Sequence, residues 1–133
     1  AALGVAQIEQ LPGILKRKKE INHYYQTELE GVDGLSISKE PDYANNNNWL
    51  NLLQINCEVY KEDRELLMAR LEENGIQTRP AWKLNHEQKP FRKYQHYKIE
   101  EAKQLVENSL CLPSSSNLTN ENINKIIYCL ANK

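Results

Sequence analysis

Apolar residues recur along this chain at two kinds of spacing, and the two kinds divide it into helices and strands. From Ala1 to Leu11 the residues Leu3, Ala6, Ile8 and Leu11 stand near helical spacing, which predicts a helix. Pro12 and Gly13 interrupt it, and Pro12 suits the first turn of a second helix running to about Glu30. Ile14, Leu15, Ile21, Tyr25 and Leu29 give that second helix an apolar stripe. Lys16, Arg17, Lys18, Lys19 and Glu20 read as its solvated face, a commoner use of such a run than a phosphate patch. Leu35 to Ser38 is a short strand candidate after Gly31 and Gly34.

The run from Pro41 to Asn48 ends in four asparagines, buries no apolar area and is expected to be a mobile surface excursion. Trp49 to Asn56, with Leu50, Leu52, Leu53 and Ile55, reads as a buried strand. Glu62 and Asp63 open a helix favourably for its dipole, and Asn74-Gly75 closes it as a left-handed cap. Ile76 to Arg79 is the next strand candidate. A helix is expected near Ile99 to Asn108 with Ala102, Leu105 and Val106 inward. Leu110 to Leu112 is a strand stopped by Pro113, and Thr119 is an N-cap for a last helix carrying Ile123, Ile126, Ile127 and Leu130. Strands alternating with helices indicate an α/β or α+β domain, a small sheet with helices packed on it.

Composition narrows the functional classes. The chain has 133 residues, enough for one modest core, with 17 basic and 18 acidic side chains. That balance argues against a nucleic-acid or membrane surface as partner, and no apolar run approaches a bilayer span. Cys57, Cys111 and Cys129 show neither a disulfide framework nor metal-ligand spacing, which fits reduced thiols in a cytoplasmic protein. His23, His86 and His96 likewise show no metal-ligand spacing, so no metal site is expected. The chain opens inside an apolar helical pattern without a capping residue, which reads as a cut end of a longer protein.

Candidate chemistry concentrates in one irregular stretch, Gly75 to Phe91. It gathers Arg79, Trp82, Lys83, His86 and Gln88. Pro80 forces Arg79 into an extended conformation, from which its guanidinium can fork onto a carboxylate or phosphate, or form an ordinary surface ion pair. Trp82 suits a stacking face or the edge of a core. His86 suits a hydrogen bond to a phosphate or sugar hydroxyl, or a structural role. No glycine-rich phosphate loop, nucleophile elbow or complete catalytic set accompanies them.

Three stretches resemble a known family. Ala1-Ala-Leu-Gly-Val-Ala-Gln-Ile-Glu-Gln-Leu11, the segment Gly75-Ile-Gln-Thr-Arg-Pro-Ala-Trp-Lys83 with His86, Gln88 and Phe91, and Leu110-Cys-Leu-Pro-Ser-Ser115 are similar, in order, to motifs of the DegT/DnrJ/EryC1/StrS sugar aminotransferases. The middle stretch is the specific one. It departs from the common pattern at Asn85 and Lys89, which leaves the sugar preference open.

The resemblance implies the fold of aspartate aminotransferase, with this chain as its C-terminal small domain: residues 1–30 connecting helices, residues 31–133 a small α/β domain. It implies pyridoxal 5'-phosphate as cofactor, L-glutamate as amino donor, a UDP- or GDP-linked keto sugar as substrate and a homodimer as the assembly. It places the Schiff-base lysine outside this chain, so that Lys83 is not that lysine and the isolated chain is expected to be inactive and to hold no cofactor tightly. It assigns Arg79, Trp82, Lys83, His86 and Gln88 to substrate binding. Two other readings stand beside it: a non-catalytic ligand-binding or regulatory module of the same fold, and a small α/β interaction domain whose polar loop only packs.

Overall fold

The structure is a computed structural model that describes residues 2–132. Helix α1 (Ala2–Leu29) leads into β1 (Leu35–Ile37), β2 (Asn51–Ile55), a short helix α2 (Cys57–Tyr60) and α3 (Arg64–Glu73). Then come β3 (Arg79–Pro80), a 3-10 turn (Asn85–Glu87), α4 (Glu100–Glu107), β4 (Ser109–Leu112) and α5 (Asn120–Ala131). The four strands form one antiparallel sheet in the order β1-β2-β4-β3.

Alternation along the strands gives the sheet two unlike faces. Leu35, Ile37, Leu53, Ile55, Leu110 and Leu112 are buried and pack with α1, α3 and α5. From the helices come Ile21, Tyr25 and Leu29, Leu67 and Leu71, and Ile123, Ile126 and Leu130. At roughly 1.5–3 kcal/mol for each buried aliphatic side chain, this shared cluster is the main source of stability. The opposite face carries Ser36, Leu52, Gln54 and Cys111, and α4 lies over part of it, sharing a cleft of about 390 Å³ with Gln54 and Ser109. An amide chain fixes α1 on the sheet: Gln26 Nε2 donates to Asn22 Oδ1, and Asn22 Nδ2 to the buried Asn51 Oδ1, each at 2.9 Å.

The local signals account for the element ends. Asp63 Oδ1 accepts from the Leu66 N–H at 2.9 Å, and Thr119 Oγ1 from the Asn122 N–H at 3.2 Å, as N-caps do. At the end of α3, Gly75 has φ +72°, its N–H donates to Glu72 O, and the Ile76 N–H donates to Leu71 O, both at 2.8 Å. Those two bonds make a Schellman cap, closed by the buried pair Ile76 and Leu71.

Several expectations need correcting. The segment before Glu30 is one helix rather than two: α1 runs through Pro12. Proline there removes the hydrogen bond to Ile8 O and crowds that carbonyl, but Ile8 and Leu11 are exposed, so water can serve the carbonyl and nothing is squeezed. Ala1 itself lies outside the described residues. Arg17 and Lys18 are half-buried rather than solvated: Arg17 Nη2 donates to Leu118 O at 2.7 Å and Lys18 Nζ to Ser114 O at 2.8 Å. Leu105 is 44% exposed rather than inward. Strand pairing after α3 is confined to Arg79–Pro80, because only there does the chain meet β4 in register. Proline is tolerated at that position because β3 is an edge strand.

Candidate functional site

Arg79 lies on the outer face of the sheet. Its register partner is Cys111, which pairs in turn with Leu52, so Leu52, Cys111 and Arg79 form one row across three strands. The guanidinium is exposed, and no hydrogen bond or ion pair to it is found among the described residues. That distinguishes it from Arg17, Arg64, Arg70 and Arg92, each of which donates to a carboxylate or backbone carbonyl. The ion-pair reading of Arg79 therefore has no partner in this chain. Beside it, burial pushes the Cys111 thiol up, which keeps it protonated and unsuited to nucleophilic work.

Trp82 follows two residues after β3 and is 69% exposed. It meets Trp49, whose ring centroid lies 5.4 Å away at an interplanar angle of 58°. Trp49 stands just before β2, and β4 separates β2 from β3 in the sheet. The register sets Ala81 beside Ser109, at the far end of β4 from the entry to β2.

Lys83, His86 and Gln88 lie on the loop beyond. The Lys83 ammonium is exposed and carries no hydrogen bond or ion pair among the described residues. Gln88 Nε2 donates to Lys83 O at 3.3 Å and to Asn85 Oδ1 at 3.2 Å, which braces the 3-10 turn. Arg92 Nε adds a bond to Glu87 O at 2.8 Å. His86 stacks on His96, with centroids 5.0 Å apart and planes 28° from parallel. The loop is thus held by its own side chains. Arg79 and Lys83 are left as unengaged cations on one stretch of chain either side of Trp82, which is exposed but in contact with Trp49, while His86 and Gln88 already have partners within the loop.

Sequence reasoning did not single out Trp49, Lys18, Ser114 or His96. Ser114 Oγ donates to Trp49 O at 2.8 Å, and Lys18 Nζ reaches the same carbonyl at 3.4 Å. The signal that could have found Trp49 is its type: it is the other of the two tryptophans in the chain and borders the asparagine tract. No group of three or more metal-ligating side chains occurs among the described residues, and no helix among them is long and apolar enough to cross a membrane.

The family model for the DegT/DnrJ/EryC1/StrS aminotransferase family matches residues 1–131. The chain belongs to this family. It is 30% identical over 134 residues to EpsN of Bacillus subtilis (strain 168), whose name assigns it provisionally to the pyridoxal phosphate-dependent aminotransferases. That alignment takes in 98% of this chain and 34% of EpsN. It is also 30% identical over 136 residues to the GDP-perosamine synthase of Vibrio cholerae, taking in 99% of this chain and 36% of that protein. Among solved structures, DesI, crystallised in the presence of its TDP-sugar product, superimposes with a TM-score of 0.88 at 21% identity. That superposition covers 98% of this chain and 33% of DesI. The four-stranded antiparallel sheet with its long N-terminal helix is therefore an aminotransferase fold element, and the chain spans about a third of the length of the relatives it matches.

Proposed function

We propose that this chain is the C-terminal part of a pyridoxal phosphate-dependent aminotransferase that moves an amino group from L-glutamate to a nucleotide-linked keto sugar. In this reading residues 31–133 form the small domain and the exposed first turns of α1 connect it to the rest of the protein, which works as a homodimer in the cytoplasm. The observation that carries the reading is the pair of unengaged cations Arg79 and Lys83 on either side of the exposed Trp82, within a chain of this family. Two cations without partners suit a diphosphate, and an exposed indole suits the ring attached to it. The names of two relatives point the same way, one a GDP-perosamine synthase and one described with a TDP-sugar product.

Pyridoxal phosphate supplies the electron sink that amino-group transfer needs. The residues described here do not by themselves form a site for it. The rim is open, with Trp82 69% exposed, and its free cations offer a phosphate contact but no enclosure. The work assigned to this chain is binding and orientation. Arg79 and Lys83 offset diphosphate charge, Trp82 covers an apolar face of the substrate, and the braced turn of His86 and Gln88 presents hydrogen-bonding groups to sugar or phosphate.

The whole gene product, assayed with L-glutamate and UDP- or GDP-linked keto sugars, tests this directly by formation of 2-oxoglutarate. Arg79→Ala should raise KM for the nucleotide sugar about ten- to a hundredfold, the value of one or two charge-assisted hydrogen bonds. The 133-residue chain alone should show no turnover. A whole protein that forms no 2-oxoglutarate with any such sugar, or a coding region with no lysine or aspartate upstream of Ala1, would sink the reading.

A further inference from the structure

The four consecutive asparagines, Asn45 to Asn48, play no part in the function proposed above, yet they are highly organised. Asn46 Oδ1 accepts from the Asn48 N–H at 3.1 Å, and Asn47 Oδ1 accepts from the Trp49 N–H at 3.0 Å. These are two overlapping side-chain turns, and Asn48 between them has φ +49°, a region asparagine tolerates better than most residues. Upstream, Asn45 Oδ1 accepts from Lys19 Nζ at 2.6 Å, and the Asn46 N–H donates to the Glu40 carboxylate. Downstream, Trp49 O accepts from Ser114 Oγ and Lys18 Nζ, and Lys18 Nζ also holds Ser114 O. The Trp49 backbone is therefore held on both sides, by the tract, by α1 and by the exit of β4.

This scaffolding does not serve burial. The Trp49 ring is 56% exposed, and what it meets is Trp82. Trp82 sits on a loop, and an indole so exposed would sample several rotamers without a neighbour. A fixed ring against one side of it removes that freedom, and a preorganised ring loses less entropy when a ligand arrives.

The geometry points to Trp49 as the residue that positions Trp82 on the ligand rim, with the asparagine tract building the backbone that holds Trp49. The inference rests on the reading of the Arg79–Gln88 segment as a substrate wall. Trp49 is a positioning residue: it acts through Trp82.

The chain contains two tryptophans, so the indole exciton couplet in its far-ultraviolet circular dichroism reports this pair alone. The wild-type chain should show the couplet, Trp49→Phe should abolish it, and Asn47→Ala should weaken it although both indoles remain. In the whole enzyme, Trp49→Ala should raise KM for the nucleotide sugar about two- to tenfold at unchanged kcat, the worth of one aromatic contact, and Trp49→Phe should restore most of it. Equal melting temperatures for the two variants would separate positioning from folding. A wild-type chain without a couplet overturns the inference, and an undiminished couplet in Asn47→Ala overturns the part given to the tract. A KM that moves in Trp82→Ala but not in Trp49→Ala overturns the positioning role. A couplet that behaves as expected, with KM unmoved in Trp82→Ala as well, supports the ring geometry and instead sinks the substrate wall.

Discussion

The two faces of the sheet use the same strands for opposite ends. On the inner face most polar groups near the core have work inside the chain, the Nδ2 of Asn51 being buried without a hydrogen-bond partner: the Tyr25 hydroxyl donates to Pro113 O at 3.1 Å, and the Tyr60 hydroxyl to Leu130 O at 2.8 Å. Arg70 joins Tyr60 to Glu62, with its guanidinium 2.7 Å from the carboxylate, and also donates to Cys129 O near the end of α5. On the outer face Arg79, and on the loop that follows it Lys83, have no such partners among the described residues, and beside the strand ends two tryptophans are largely exposed. A region kept for stability satisfies most of its own polar groups. A region that leaves strong donors unused is suited to a partner that supplies the acceptors.

The sharpest way to break this contrast is to truncate one residue on each side. Leu53→Ala, at a position with no exposure, should cost about 2–5 kcal/mol in urea denaturation, because little around it can collapse into the gap. Arg79→Ala should stay within about 0.5 kcal/mol of wild type, as changes at exposed, unpartnered positions do. Equal losses would mean that the outer rim is structural after all.

Two glycines give a smaller version of the same comparison. Gly34 has φ +83°, and a Cβ added there would stand 2.5 Å from the Tyr60 backbone nitrogen, on the packed side. Gly75 has φ +72°, but the nearest atom to an added Cβ is Lys125 Nζ at 4.0 Å. Gly75→Ala should therefore show only the conformational penalty, about 1 kcal/mol, and Gly34→Ala should exceed it by about 1–3 kcal/mol because backbone must move. Matching denaturation midpoints for the two variants would contradict the close approach.

The mildest test is alkaline pH. Burial pushes the phenols of Tyr25 and Tyr60 above their ordinary value of 10.0; at Tyr60 the Arg70 charge and hydrogen bond oppose the rise. The unfolded chain ionises first, so it binds fewer protons than the folded one above that value. Stability should be level below the ordinary phenol range and fall as pH rises through it. Tyr25→Phe should flatten the decline measured by urea titration at several pH values, and an unchanged slope would count against the burial of Tyr25.

What could be read in advance divides along physical lines. The Thr119 cap, the Asn74-Gly75 stop and the stripe Ile123, Ile126 and Leu130 were legible because each depends on neighbours within one or two turns. The extent of β3 was not, since a strand ends where its partner stops matching it, and that partner lies about thirty residues away. Pro12 misled because the rule against internal proline is steric and loses force on a helix surface that packs against nothing here. Leu105 misled because an amphipathic period shows which face of a helix is apolar without saying how much of it is covered. The site was half legible. Arg79, Trp82, Lys83, His86 and Gln88 cluster in sequence, but Trp49 joins Trp82 only through the fold, and the asparagines looked like a tract without structure because their bonds run from side chain to backbone.

The sequence by itself determined the alternation of helices and strands, the family and the stretch that carries the unengaged cations, because periodicity, caps and motif spacing are local properties of the chain. The tertiary structure alone decided the strand order β1-β2-β4-β3, the docking of Lys18 and Arg17, and the meeting of the two tryptophans. Those depend on which distant groups arrive at one place, and that is fixed by burying a common core rather than by any residue's own preference.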